Sequence, residues 1–339
     1  MSWTIAPAGQ FGAQADRWRN LHAAGAASPL LAVDFVEALL AAFGTGKELL
    51  AWHDTDGVTD AMAILAPGGF GAWHTFQPSQ APVGLWLGRD SRAPGPLLRS
   101  LLARLPGPAL VVALTQCDPA LVARPPEGSR LRTLDYIRTA RITLHGAGGF
   151  EMFWAARGKN LRSNLKKQRN RLRQDGIATR LDICRTPDQM AQAVADYGRL
   201  EGSGWKAAEG TAVDSANAQG RFYRALLERF AARGAASVYR YWIGEQLAAM
   251  DLCVEGGGCI VVLKTAYDEQ MGSQLSPALL MREEACRQLF DEDRFDRIEF
   301  YGRVMEWHLR WTDEVRTMYH LNGYRWPGLA RLHALRRSG

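Results

Sequence analysis

The sequence predicts an α/β fold of two successive units, each a mixed, mostly antiparallel sheet flanked by helices. Three observations carry this. Between residues 237 and 301, β-rich apolar runs and one amphipathic helix follow in the order strand, strand, strand, helix, strand. Residues 49–115 repeat that order with little sequence in common. The chain has 339 residues, 47% hydrophobic and 22% charged, which is enough for two cores of ordinary size.

In the first unit, residues 34–43 (DFVEALLAAF) read as a helix with Asp34 as N-cap. Residues 49–53 and 59–66 flank a turn at 54–57 as a hairpin, and a further strand lies in 71–76 or 83–87. Residues 96–105 (PLLRSLLARL) are helical in pattern and 109–115 (ALVVALT) are a buried-strand run. The Pro- and Gly-bearing segment 124–130 (RPPEGSR) reads as the linker, and 138–144 starts the next unit as a strand. The expected division is 1–135 and 136–339.

The second unit opens with a basic helix over 153–174, followed by a helix over 188–200. Strands at 237–244 and 247–254 are joined at Gly244-Glu245-Gln246, and a glycine turn leads into the strand 259–266 (CIVVLKTA). A helix over 277–290 follows, with Ser276 at N-cap, Pro277 as its first residue and apolar positions at 279, 280, 285 and 289. The last strand is 297–301 (RIEFY). If Gly257 and Gly258 form a two-residue loop, Gly256 pairs with Cys259 and paired numbers sum to 515. Asp251 then stands opposite Lys264 on one face.

Composition removes several function classes. Five cysteines (117, 184, 253, 259, 286) are scattered without a Cys-x-x-Cys pair, and the seven histidines show no ligand spacing, so no metal is expected. Gly44-Thr45-Gly46-Lys47-Glu48 lacks the first glycine and the hydroxyl residue of a P-loop. The start, Met1-Ser2-Trp3-Thr4, shows no secretory pattern, and no apolar run approaches the ~20 residues of a membrane span. The expected location is cytoplasmic, with peripheral contact at the inner membrane face as an option. Residues 151–175 hold eight Lys and Arg against Glu151 and Asp175, which accounts for the whole net charge of +6.

A strand running into a helix start gathers free backbone N–H groups and the positive end of a helix dipole at one spot, a setting that suits a pyrophosphate. Residues 263–269 (LKTAYDE) and 275–280 (LSPALL) resemble the bacterial CelD/BcsL-like (BioF2-like) acetyltransferase family, a GNAT-fold family related to the FemAB transferases. Glu201-Gly202-Ser203-Gly204-Trp205-Lys206, Phe222-Tyr223 and the basic segment 160–172 fit the same family. The resemblance covers about residues 150–325. It implies tandem GNAT-like, FemAB-like domains, the second catalytic and the first a non-catalytic copy. It also implies acetyl-CoA or a longer acyl-CoA (or an acyl carrier protein) as donor, held by Gly272, Ser273, Gln274, Leu275, Ser276 and Ala278. The implied acceptor is an amine, such as an amino sugar or lipid-linked amine in envelope or exopolysaccharide assembly. Glu201, Trp205 and Lys206 would face it, as would Arg303, Trp307 and His308, which follow the last strand where the family places substrate contacts. The chain departs from the family at Ala278, where a glycine is usual, and at His308, where a lysine often stands.

Acyl transfer from a thioester needs a deprotonated amine, a polarised carbonyl and a stabilised leaving thiolate. Candidate bases are Asp251, Glu201, Asp268 and Glu299. Asp251 interrupts an apolar strand, where a carboxylate must be paired or raised in pKa, and Lys264 is the matching oddity in the next strand. The two are read either as a catalytic pair or as a structural ion pair. Tyr267 and Tyr301 are the candidate proton donors to the thiolate, or ordinary sheet-end tyrosines. In the basic helix, Arg162 and Lys166 are assigned to the acceptor side. Its partner is read as an anionic headgroup, a phosphorylated or acidic acceptor, or RNA, against a merely solvated face. The absence of aromatics between Trp154 and Tyr197 argues against RNA stacking. Two other functions stay open: a FemAB-type transferase drawing on aminoacyl-tRNA, and a non-catalytic polyanion-binding module.

Overall fold

The computed structural model describes residues 2–25, 27–89, 94–146, 148–202, 213–214, 216–271 and 274–335, with side chains to residue 332. Two compact units emerge, one of 1–139 with 316–339 and one of 140–315.

The first unit contains β1 (Ser2–Pro7), α1 (Ala15–Ala24), α2 (Val33–Phe43), β2 (Leu49–Thr55), β3 (Val58–Pro67), β4 (Ala72–Thr75), β5 (Trp86–Gly88), α3 (Gly95–Arg104) and β6 (Val111–Cys117). Asp34 is not the cap of α2. Ala32 takes that position, and Asp34 sits in the first turn, where its charge still favours the helix dipole. The β2–β3 hairpin turns at Asp56 and Gly57, both at positive φ. Both candidate strands after it form, and β4 lies parallel to β6 across the helix α3. The unit's core gathers Trp3, Leu65, Leu98, Leu101, Val112 and Leu114. The sequence match to a P-loop fails structurally as well. Glu48 folds back on its own loop and accepts from the Thr45 and Gly46 N–H groups, each at 3.0 Å, and from the Thr45 hydroxyl at 2.7 Å.

The strand β7 (Leu131–Thr143) carries the chain into the second unit. There follow α4 (Gly149–Ala155), α5 (Lys159–Gln174), β8 (Thr179–Cys184), α6 (Pro187–Gly202), α7 (Ala218–Ala232), β9 (Ala236–Ile243), β10 (Gln246–Gly256), β11 (Cys259–Tyr267), α8 (Pro277–Glu292), β12 (Arg297–Phe300) and α9 (Glu306–Leu309). The sheet order is β7-β12-β11-β10-β9-β8, antiparallel throughout except for the parallel β11–β12 pair joined over α8. Strands, a helix and then a strand parallel to an earlier one is thus the order in both units, with the short β5 as an additional strand in the first. α5 anchors itself through Leu161, Leu165 and Leu172, at the spacing of one helix face.

The chain then returns to the first unit, which the sequence reading did not foresee. β13 (Val315–Tyr324) pairs antiparallel with β6, and α10 (Pro327–Leu335) ends the described chain. Tyr319 and Leu321 enter the first core, and Arg316 holds Asp118 at 2.7 Å. The physical reason is that β6 needs a second neighbour to satisfy its outer backbone groups, and β13 supplies it.

Candidate active site

The site begins with a hairpin whose turn chemistry is local and whose register is not. Gly257 and Gly258 take φ of +57° and +69°, the two positive values a two-residue loop requires, and Gly256 pairs with Cys259 as expected. That register holds as far as Cys253–Val262. Between Leu252 and Cys253 it slips by one residue, so Leu252 faces Lys264 and Asp251 faces Thr265. Because side chains alternate along a strand, this bulge sends Asp251 and Lys264 to opposite faces of the sheet. The expected Asp251–Lys264 pair does not form.

Each charge finds another partner. Asp251 is fully buried, accepts from the Thr265 hydroxyl at 2.5 Å, and lies 2.6 Å from the Arg282 guanidinium of α8. Burial would lower the Arg282 pKa, but the Asp251 carboxylate outweighs it and holds the value above the ordinary one. The guanidinium also lies over the Phe300 ring at 5.0 Å. On the other face, Lys264 meets Glu201 of α6 at 3.0 Å, with the Tyr197 and Tyr223 rings at 5.8 and 5.7 Å. Burial, then the Glu201 charge, pushes the Tyr197 and Tyr223 phenols well up. Glu201 further accepts from the Val213 N–H at 2.8 Å. Glu201 and Lys264 thus satisfy each other beneath α6 and α7, away from the cleft described next.

β11 and β12 pair only over Cys259–Val262 and Arg297–Phe300. β12 then ends, while β11 continues along β10 to Tyr267. At the level of this divergence a cleft of about 410 Å³ opens, lined by Thr265, Tyr267, Asp268, Ala278, Arg282 and Trp307, with Leu275 and Leu279 as apolar walls. Of the expected donor residues, Leu275, Ser276 and Ala278 line it, whereas Gln274 is exposed beside it. Gly272 and Ser273, like Trp205 and Lys206 on the acceptor side, lie outside the described residues. Of the candidate bases only Asp268 lines the cleft, where it accepts from Gln246 Nε2 at 2.5 Å and from the Gln270 N–H at 2.7 Å. Glu299 is buried and paired with Arg297 at 2.8 Å. Tyr267 stands 46% exposed at the rim. Tyr301 is half-buried and Arg303 exposed, neither on the cleft wall.

The start of α8 is partly occupied by the protein itself. The Ser276 N–H donates to Gln168 of α5 at 2.8 Å, Pro277 has no N–H, and the Leu279 and Leu280 N–H groups both reach the Ser276 carbonyl. The Ser276 side chain makes no cap bond. At the cleft's far side, His308 is buried, stacked on Trp307 at 3.5 Å and edge-on to Phe300, with Nδ1 accepting the Met305 N–H at 3.0 Å. Burial, reinforced by the Arg282 charge, lowers its pKa to about 4. His308 is therefore neutral at pH 7 and does not supply the cation that a lysine would. Arg162 and Lys166 line a separate groove along α5.

Sequence reasoning missed Arg282 and Thr265, whereas Trp307, singled out with Arg303 and His308, does line the cleft. A signal for Arg282 existed: it falls at the spacing of the apolar stripe 278, 282, 285, 289, and a cation there calls for a buried anion opposite. Among the described residues no helix is long and apolar enough to cross a membrane, and no group of metal-ligating side chains is present.

Residues 159–309 match the model of a family described as an acetyltransferase (GNAT) domain. No curated protein matches the chain. The fold is similar to the C-terminal domain of a lysylphosphatidylglycerol synthetase from Agrobacterium fabrum at 12% identity and TM-score 0.56, covering 96% of both chains. It is similar to FemX at 8% identity and TM-score 0.57, covering 98% of this chain and 99% of that one. A protein of unknown function from Bacteroides thetaiotaomicron gives 13% identity and TM-score 0.56, covering 91% and 97%. The two units share the mixed sheet and helix order expected of GNAT-like domains, residues 159–309 carry an acetyltransferase domain of that type, and the chain is an acyltransferase.

Proposed function

We propose that the chain moves an acyl group from a thioester donor, acyl-CoA or acyl carrier protein, to an amine, as in the CelD/BcsL-like family. The observation that carries this is the cleft where β11 outlasts β12, with free strand edges on one side and the α8 start on the other. The thioester arm lies between Leu275, Leu279 and Trp307, its carbonyl close to the β11 backbone and Arg282. The amine nitrogen attacks the carbonyl carbon, its proton passes to Asp268, and the tetrahedral oxyanion is stabilised by the buried guanidinium. The C–S bond then breaks, and the thiolate takes its proton from Tyr267. Asp251 touches no substrate in this scheme; with Thr265 it positions Arg282. An amino sugar or lipid-linked amine fits the acidic rim of Asp268 and Glu269, which favours an ammonium arriving from water.

The test is release of free thiol from a series of acyl-CoAs, with and without a panel of amines. Amine-dependent release is expected, falling about 100-fold or more in Arg282→Gln. A chain that releases thiol from none of them, with or without amine, would end this reading. A FemAB-type aminoacyl donor is the second reading, supported by the likeness to the FemX fold and by the N–H groups already spent at the α8 start. Turnover with acyl-CoA in RNase-treated protein would exclude it.

A further inference from the structure

α5 presents an unusual distribution of charge. Lys159, Arg162, Lys166 and Arg173 fall within about 60° of one another around the helix, at 100° per residue, over an axial length of about 21 Å. All four line one wall of a groove of about 640 Å³ that Trp154 closes at one end and Glu283 of α8 borders on the side. None of the four pairs with a carboxylate among the described residues: Arg162 reaches only the Arg157 carbonyl. Neighbouring cations behave differently. Arg169 binds Glu283 and Glu284 at 3.1 and 2.6 Å, and Arg171 lies near Asp175. Like charges three and four residues apart cost helix stability, and here the groove leaves that cost unrelieved by the protein. The helix is held regardless by its three buried leucines and by Gln168.

The placement says what would relieve it. The outward crest of α5, opposite the buried leucines, carries Asn160, Ser163, Asn170 and Gln174 beside Lys167, so a flat bilayer would meet mostly uncharged side chains. The cations stand on the flank and line the groove, which reaches Ser163 and Asn170 at the edge of the crest and takes in the paired Arg169. Trp154 offers no free face for base stacking, since it is stacked with both Phe150 and Trp311. We propose that this groove binds the phosphate groups of a small substrate, closely spaced as in a pyrophosphate, in place of the α8 start where the sequence put them. Adjacent residues of α8 border the two regions, Arg282 the cleft and Glu283 the groove. The phosphates belong to the acyl-CoA donor or to a phosphorylated acceptor, and the proposal rests on the acyl-transfer reading of the cleft only for that source.

The experiment is calorimetric titration of the full chain with inorganic pyrophosphate, coenzyme A and phosphate-free pantetheine, repeated in a salt series. The comparison is with the triple variant Arg162→Gln, Lys166→Gln, Arg173→Gln, whose urea midpoint serves as the folding control. Wild type is expected to bind pyrophosphate with affinity falling as salt rises, and the variant to bind it about 30-fold or more weakly. Parallel loss of coenzyme A binding with pantetheine unchanged identifies the donor's phosphates. Coenzyme A binding intact while pyrophosphate binding is lost identifies the acceptor's. Equal pyrophosphate binding by a folded variant, or none by wild type, overturns the proposal. Should the acyl-transfer reading alone be wrong, pyrophosphate would still bind the groove while no acyl-CoA is turned over.

Discussion

Replacing Asp251 by Asn should be among the most costly single changes in the second unit. The Asp251 side chain is fully buried and that of Arg282 is 4% exposed, at 2.6 Å. Removing one charge leaves the other buried without its counter-ion, which costs about 3–5 kcal/mol. For a unit of this size that lowers the melting temperature by roughly 6–20 °C. Replacing both partners, Asp251→Leu with Arg282→Met, should recover most of the loss, because an apolar pair of similar volume carries no desolvation cost. The bulge adds a sharper test. Lys264→Met breaks the ion pair with Glu201 on the other face, so its effect should add to that of Asp251→Asn within about 0.5 kcal/mol. Urea denaturation followed by tryptophan fluorescence on the singles and doubles completes both cycles. Coupling above about 1 kcal/mol between Asp251 and Lys264, with none between Asp251 and Arg282, would refute the register deduced here.

Three further outcomes follow from the same geometry. Gln168→Leu leaves the Ser276 N–H without its partner at the start of α8 and should cost about 1–3 kcal/mol, read as a lower urea midpoint. Gly258 and Gly234 share a φ near +69°, but only at Gly258 would a Cβ meet a neighbour, Asp296 Oδ2 at 2.3 Å; Gly258→Ala should therefore destabilise more than Gly234→Ala, and equal melting temperatures would show that Asp296 simply moves aside. For His308 the unfolded ring titrates near 6.5 and the folded one near 4, so the unfolded state takes up the proton first. Stability should fall as pH drops from 6.5 towards 4, by up to about 3 kcal/mol, and His308→Gln should lack that component in a denaturation series across those pH values.

What the sequence determined by itself was whatever depends on neighbours along the chain. The β-rich apolar runs in 237–266 give β9, β10 and β11, Ser276-Pro277 gives the start of α8, and the Gly257-Gly258 pair gives a two-residue turn. Each signal is local and acts through φ, through hydrogen bonding of a missing or spare N–H, or through the preference of apolar and β-branched residues for buried strands. Of the cleft wall, residues 267–269 and 275–279 were picked out by the family resemblance and the helix start. The tertiary structure alone decided the partners. One extra residue in β11, Leu263 opposite the Leu252–Cys253 step, exchanged Lys264 for Arg282 as the counter-ion of Asp251, and a bulge of this kind is set by how the strands diverge, not by any motif within them. The return of β13 to β6 and the loan of Gln168 to Ser276 join residues 108 or more positions apart. No window of sequence records such pairings, since what selects them is the unsatisfied backbone edge or N–H that each fills.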